Sequence, residues 1–145
     1  GSFYWHFPNR AAFLNAFLAD WRDRTTLNVI EMLSQQERDP ETRLVRLLSL
    51  PDRPKAPKAA QVEQSLRAWA RTDATAQEAL ADVDQRRLMF FRDIFAELGF
   101  AADEADRRAR LAYTLMLGDT VLRSSTKDAD AVLSDAVTLL LAQPK

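Results

Sequence analysis

The chain has no cysteine, one histidine and only three glycines among its 145 residues. Without thiols it can form neither a disulfide nor a thiolate metal site, which fits a reducing cytoplasm. One histidine leaves no histidine pair for a metal and a single imidazole for acid–base work. So few glycines leave no Gly-rich phosphate loop, and neither a HExxH pair nor a nucleophile elbow occurs. No apolar run reaches the roughly 18 to 20 residues that cross a bilayer, and no signal-peptide pattern is present. Excess charge is missing too: the formal net charge is -1, whereas a nucleic-acid surface is distinctly basic. These absences predict a soluble, cytoplasmic chain with no cofactor, no metal, no membrane contact and no enzymatic activity. By itself it is not expected to bind DNA.

What is present points to helices. Hydrophobic residues make up 47% and charged residues 28% of the chain, enough apolar surface for one well-buried domain. β-Branched residues never alternate with polar ones over a useful length, so the fold class expected is all-α. From Arg10 to about Gln35, Phe13, Leu14, Phe17, Leu18, Trp21, Val29, Met32 and Leu33 recur at helical spacing. Asp39-Pro40-Glu41 is a helix start, with a cap, a first-turn proline and an acid at the positive end of the dipole. Residues 50–58, LPDRPKAPK, hold three prolines in nine positions and read as a loop. Helical periods resume from Ala59, and again after Thr72 or Asp73 up to Gly99, a left-handed C-cap with Phe100 folding back. Two further helices are expected, one opening near Asp103 and one from about Asp128 to Ala142.

Those last two helices carry two apolar rows each, where a helix packed on one side needs one. Leu111, Leu115, Gly118 and Leu122 form the second row of the first; Val132, Ala136 and Leu139 lie beside Leu133, Val137 and Leu140 on the other. Rows left to solvent mark a partner surface. Two such helices from each of two subunits would make a four-helix bundle, with Leu111, Leu115, Gly118, Leu122, Val132, Ala136, Leu139 and Leu140 at the interface. The alternative is that both helices are central and buried within one subunit.

The N-terminus is the most distinctive segment. Phe3, Tyr4, Trp5, His6 and Phe7 cluster where a chain end is ordinarily polar and frayed. The run GSFYWHFPNR resembles the end of the helix-turn-helix in TetR-family transcriptional regulators, where a recognition helix closes in such an aromatic run and the next helix opens on a basic residue. Leu66 to Ala70, Val83 to Arg87 and Glu97 to Phe100 are similar, in order and spacing, to the effector domain of one branch of that family. The resemblance implies that residues 1–9 are the remnant of a DNA-binding domain and 10–145 a helical effector-binding and dimerisation domain. It implies that Gly1, Ser2, Tyr4, Trp5 and His6 face DNA in the intact parent, that Arg10 touches a phosphate, and that Phe3 and Phe7 are structural. The partners implied are a second copy, operator DNA and a small apolar or amphipathic effector. Read without the resemblance, His6 could be a core histidine, and the alternative for the whole chain is a helical dimerisation or protein-interaction module with no DNA or small-molecule role.

Candidates for an effector pocket between the long helices are Trp21, Met32, Trp69, Met89, Phe90, Phe95, Tyr113 and Met116, residue types that serve ordinary cores equally well. Arg87 stands out because it shares a face with Leu80, Val83, Phe91, Ile94 and Leu98. A guanidinium in an apolar stripe needs a partner. Asp84, three residues earlier, could pair with it inside the helix, or the group could receive an anionic ligand.

Overall fold

A computed structural model describes residues 7–122 and 128–143, and among them every regular element is helical. The first rod is α1 (Arg10–Arg22) running through a π-helical turn (Asp23–Leu27) into α2 (Asn28–Gln36). Asn9 begins it, its side-chain oxygen accepting from the Ala12 N–H at 2.8 Å. The single helix expected over this stretch is therefore interrupted: the Asn28 N–H reaches back five residues to the Asp23 carbonyl. Thr25 and Thr26 sit in this turn, and Thr25 Oγ1 donates to the Trp21 carbonyl at 2.7 Å. Such back-bonding by β-branched hydroxyl residues competes with the regular ladder.

Asp39 caps α3 (Pro40–Leu48), accepting from the Thr42 N–H at 2.8 Å with Pro40 in the first turn. A short 3-10 turn (Leu50–Asp52) follows, and α4 (Ala56–Trp69) begins three residues before the expected start. Pro57 lies in its first turn, where a missing N–H breaks no helical hydrogen bond. Asp73 caps α5 (Ala74–Glu97). α6 (Ala102–Leu122) and α7 (Ala129–Leu141) complete the chain.

α5 closes as its sequence predicts. Gly99 has φ 93°, Gly99 N–H bonds the Ala96 carbonyl and Phe100 N–H the Phe95 carbonyl. The Phe100 ring meets Phe95 edge-on at 5.9 Å, the hydrophobic contact that accompanies this type of cap.

Two apolar clusters flank α5. The larger joins α2, α3, α5, α6 and α7 around Leu33, Leu44, Phe91, Ile94 and Phe95. The smaller joins α1, α4 and α5 through Leu18, Trp21, Leu66, Leu80 and Val83. Arginines tie elements together at their edges. Arg43 is buried in α3, donating to the carbonyls of Glu37 and Arg38 and pairing with Glu97 of α5 at 2.9 Å. Arg108 of α6 donates to the Leu140 and Ala142 carbonyls at the end of α7, and its guanidinium lies 4.0 Å from the Phe100 ring centre. It thereby satisfies carbonyls that the end of a helix leaves unpaired.

The outer faces of α6 and α7 stay uncovered by the other described residues. Leu111, Leu122 and Leu139 are 63%, 78% and 74% exposed, and Leu115, Val121 and Val132 are exposed as well. Ala136 and Leu140 are different: both are 8% exposed and turn into the chain's own core. No helix among the described residues is long and apolar enough to cross a membrane.

Candidate functional site

A polar belt separates the two apolar clusters. Arg87 (α5) donates through Nη1 to both oxygens of Glu63 (α4) at 3.0 and 3.1 Å and to the Tyr113 hydroxyl (α6) at 3.2 Å. Its Nε donates to Thr26 Oγ1 in the π turn at 3.1 Å. The pairing with Asp84 expected inside α5 does not form. Asp84 instead takes Arg67 of α4 in a two-point contact, at 2.6 and 3.1 Å, together with the Tyr113 hydroxyl. The reason is direction: an arginine from the neighbouring helix reaches Asp84 head-on, while Arg87 turns toward Glu63 on α4.

Four charged groups and a phenol are thus linked by hydrogen bonds across α4, α5 and α6. Burial works to raise the Asp84 pKa, but hydrogen bonds from Arg67 and Tyr113 and the charges of both arginines outweigh it and hold it below the usual carboxylate value. The hydrogen bond to Asp84, against the opposing effect of burial, leads Arg67 to hold its proton more tightly than a free arginine. Burial works to lower Arg87, but the charge of Glu63, the influence of Tyr113 and the hydrogen bonds to both together outweigh it and raise its value. Tyr113 is pushed up to about 12, chiefly by burial. Trp21 backs this belt, with the Arg87 guanidinium 5.9 Å from its ring centre and 6.0 Å from that of Tyr113. Such contacts run from roughly 0.5–1 kcal/mol at exposed sites to about 2 kcal/mol where the cation is desolvated.

Beside the belt opens a cavity of about 380 Å³ bounded by the π turn and parts of α2, α3, α4, α5 and α6. Its walls are mainly apolar, formed by Val29, Ile30, Leu47, Leu50, Phe90, Phe91, Met116 and Leu117. Glu63 and Arg87 line one part; Arg24, Arg53 and Lys55 also border it. The size falls in the range of about 300–1,000 Å³ that takes small molecules, and an apolar wall with few polar groups is their usual setting.

Comparison with protein-family models, curated proteins and solved structures finds no match.

Of the expected pocket residues, Arg87, Phe90 and Met116 reach the cavity. Tyr113 and Trp21 stand one layer behind, touching Arg87. Met32 and Phe95 pack in the larger cluster, and Met89 is exposed. Trp69 lies elsewhere, in a shallow groove between α1 and α4 with Phe13, Leu14 and Phe17. Sequence reasoning missed Glu63, Thr26 and the wall of α2. Glu63 had a visible signal, since it sits four residues before Arg67 on the face that also carries Leu66. Gly1, Ser2, Tyr4, Trp5 and His6 lie outside the described residues, while Arg10 is exposed at the start of α1. No cluster of potential metal ligands occurs among the described residues.

Proposed function

We propose that this chain is the dimerising, effector-binding part of a ligand-responsive transcriptional repressor of the TetR type. The observation that carries the reading is the apolar cavity with one partly buried ion pair in its wall, bordered by five helices and the π turn. Two further features support it. Residues 3–10 resemble the end of a TetR-type helix-turn-helix, which gives the intact parent its operator contacts at Gly1, Ser2, Tyr4, Trp5, His6 and Arg10. The exposed apolar residues of α6 and α7 offer a second copy a self-complementary face, and two DNA-reading units about one helical turn apart require such a dimer.

The rod formed by α1 and α2 is the natural lever. It begins at the end that the resemblance assigns to DNA reading, and its π turn contributes Arg24, Thr25 and Thr26 to the cavity lining. A ligand bound there touches the lever at its irregular point. π-Helical turns inside α-helices recur at functional sites. A ligand that favours the form with the two heads spread apart lowers operator affinity by its differential binding to the two forms.

The test is operator binding by the complete gene product. It should bind DNA from its own upstream region as a dimer, above scrambled duplex across a salt series, while the 145-residue chain does not. A folded product that binds no sequence above background overturns the regulator and leaves a helical self-association module. The lever fails separately if a ligand that releases DNA leaves the spacing between the two Arg10 helix starts unchanged.

A further inference from the structure

Charge is distributed unevenly around the cavity. Four cations line it, Arg24, Arg53, Lys55 and Arg87, against one carboxylate, Glu63. That carboxylate is spent within the protein. Both its oxygens accept from Arg87, and Oε1 accepts from Arg67 as well. A ligand cation would therefore meet no free acid in the wall, and would have to approach the positive groups that no acid among the described residues answers.

The cations are in different states. Arg24 is engaged by Asp20 at 3.0 Å. Arg53 and Lys55 are exposed and make no ion pair among the described residues. They lie on the segment joining the 3-10 turn to α4, next to the start of that helix. The first turn of α4 holds no acidic residue, and Lys55 at its cap position gives no side-chain cap. The positive end of a fourteen-residue helix therefore adds to the two free side chains. Deeper in, Arg87 has its Nε taken by Thr26 and its Nη1 by Glu63 and Tyr113, which leaves Nη2 without an acceptor among the described residues.

From this arrangement we infer that the cavity takes an amphipathic monoanion, a carboxylic acid on an apolar chain or ring. The apolar body lies among Val29, Ile30, Phe90, Met116 and Leu117, and the carboxylate meets Arg53 and Lys55 beside the start of α4. The inference rests on the cavity being an effector site and specifies what that effector is. Neutral and cationic molecules of the same shape are discriminated against by charge rather than by size.

Calorimetric titration of the 145-residue chain with decanoate, decanamide and decylamine tests it without DNA. Decanoate should bind at one site per chain, about tenfold or more tighter than the amide, as expected for charge-assisted contacts, with the amine weakest. The double variant Arg53→Ala, Lys55→Ala should bring decanoate down to the amide while the amide's own binding and the melting temperature stay unchanged. The inference is overturned if the amide or amine binds as tightly as the acid, if the double variant keeps the preference, or if none of the three binds. Operator binding by the complete gene product is read separately. A lost acid preference with operator binding intact discards the ligand class alone; the reverse result discards the regulator alone.

Discussion

Arg87 illustrates how little a single residue's surroundings follow from its own helix. Its place on an apolar stripe calls for a counter-charge, and the nearest acid in sequence is Asp84. The acid it finds is Glu63, 24 positions away on α4. Once Asp84 is engaged by Arg67 and Tyr113, the belt is closed around Tyr113, whose hydroxyl both donates to Asp84 and accepts from Arg87. That phenol makes a prediction about alkaline stability. It ionises near its ordinary value of 10.0 in an unfolded chain, and at about 12 when folded. The native state then keeps a proton that the unfolded state has lost, so this stabilisation is complete below pH 10 and disappears as pH rises toward 12. Two pH units correspond to roughly 2–3 kcal/mol for a group that is mostly buried. Tyr113→Phe should flatten the fall of stability between those two pH values, measured by urea unfolding. An unchanged slope would mean that the phenol is solvated.

Among the elements, those marked by local chemistry match the sequence closely. The Asp39 and Asp73 caps, the Gly99 terminus of α5 and the helical period of α6 depend on neighbours a few residues apart, so each is legible in the chain. Gly99 supplies the sharpest check. A Cβ there would meet nothing within 4 Å, so Gly99→Ala tests backbone conformation without a steric clash. At φ 93° an L-residue costs about 1–2 kcal/mol, and the variant should lose that much stability with its cavity intact. A neutral effect would indicate that the cap relaxes into another turn. The π turn was not legible. Its threonines disturb the apolar stripe of the first rod, but the partner that Thr26 meets there, Arg87, lies 61 positions away on α5. For α4, the prolines of residues 50–58 suggested a loop three residues too long, since Pro57 is tolerated at a helix start.

At the scale of the whole molecule, the decisive feature is the difference between the two faces of α6 and α7. In α6 one expected row packs inward, through Ala105, Ala109 and Ala112, whereas in α7 the expected rows split, Ala136 turning inward with Leu140 and away from Val132 and Leu139 of its own row. Leu111, Leu122, Val132 and Leu139 are left to solvent, with Gly118 opening onto free space. An apolar surface of that kind marks a partner, and a second copy is the partner proposed. Light scattering should give twice the chain mass at micromolar concentration, and Leu111→Asp with Leu139→Asp should give a monomer that keeps its helical content. A monomeric wild-type chain would overturn this assignment.

The sequence by itself determined that the chain is helical, where most helices begin and end, and that its last two helices carry more apolar surface than a one-sided packing uses. Periodicity, caps and prolines act over a few residues, and that information is local. The tertiary structure alone decided which acid answers which arginine, which apolar residues of the last two helices turn inward, and that Phe90 and Met116 border the cavity while Trp69 and Met89 do not. Those outcomes depend on the angle and offset at which one helix meets another. Such offsets are set by all the packed side chains together, and no short stretch of sequence encodes them.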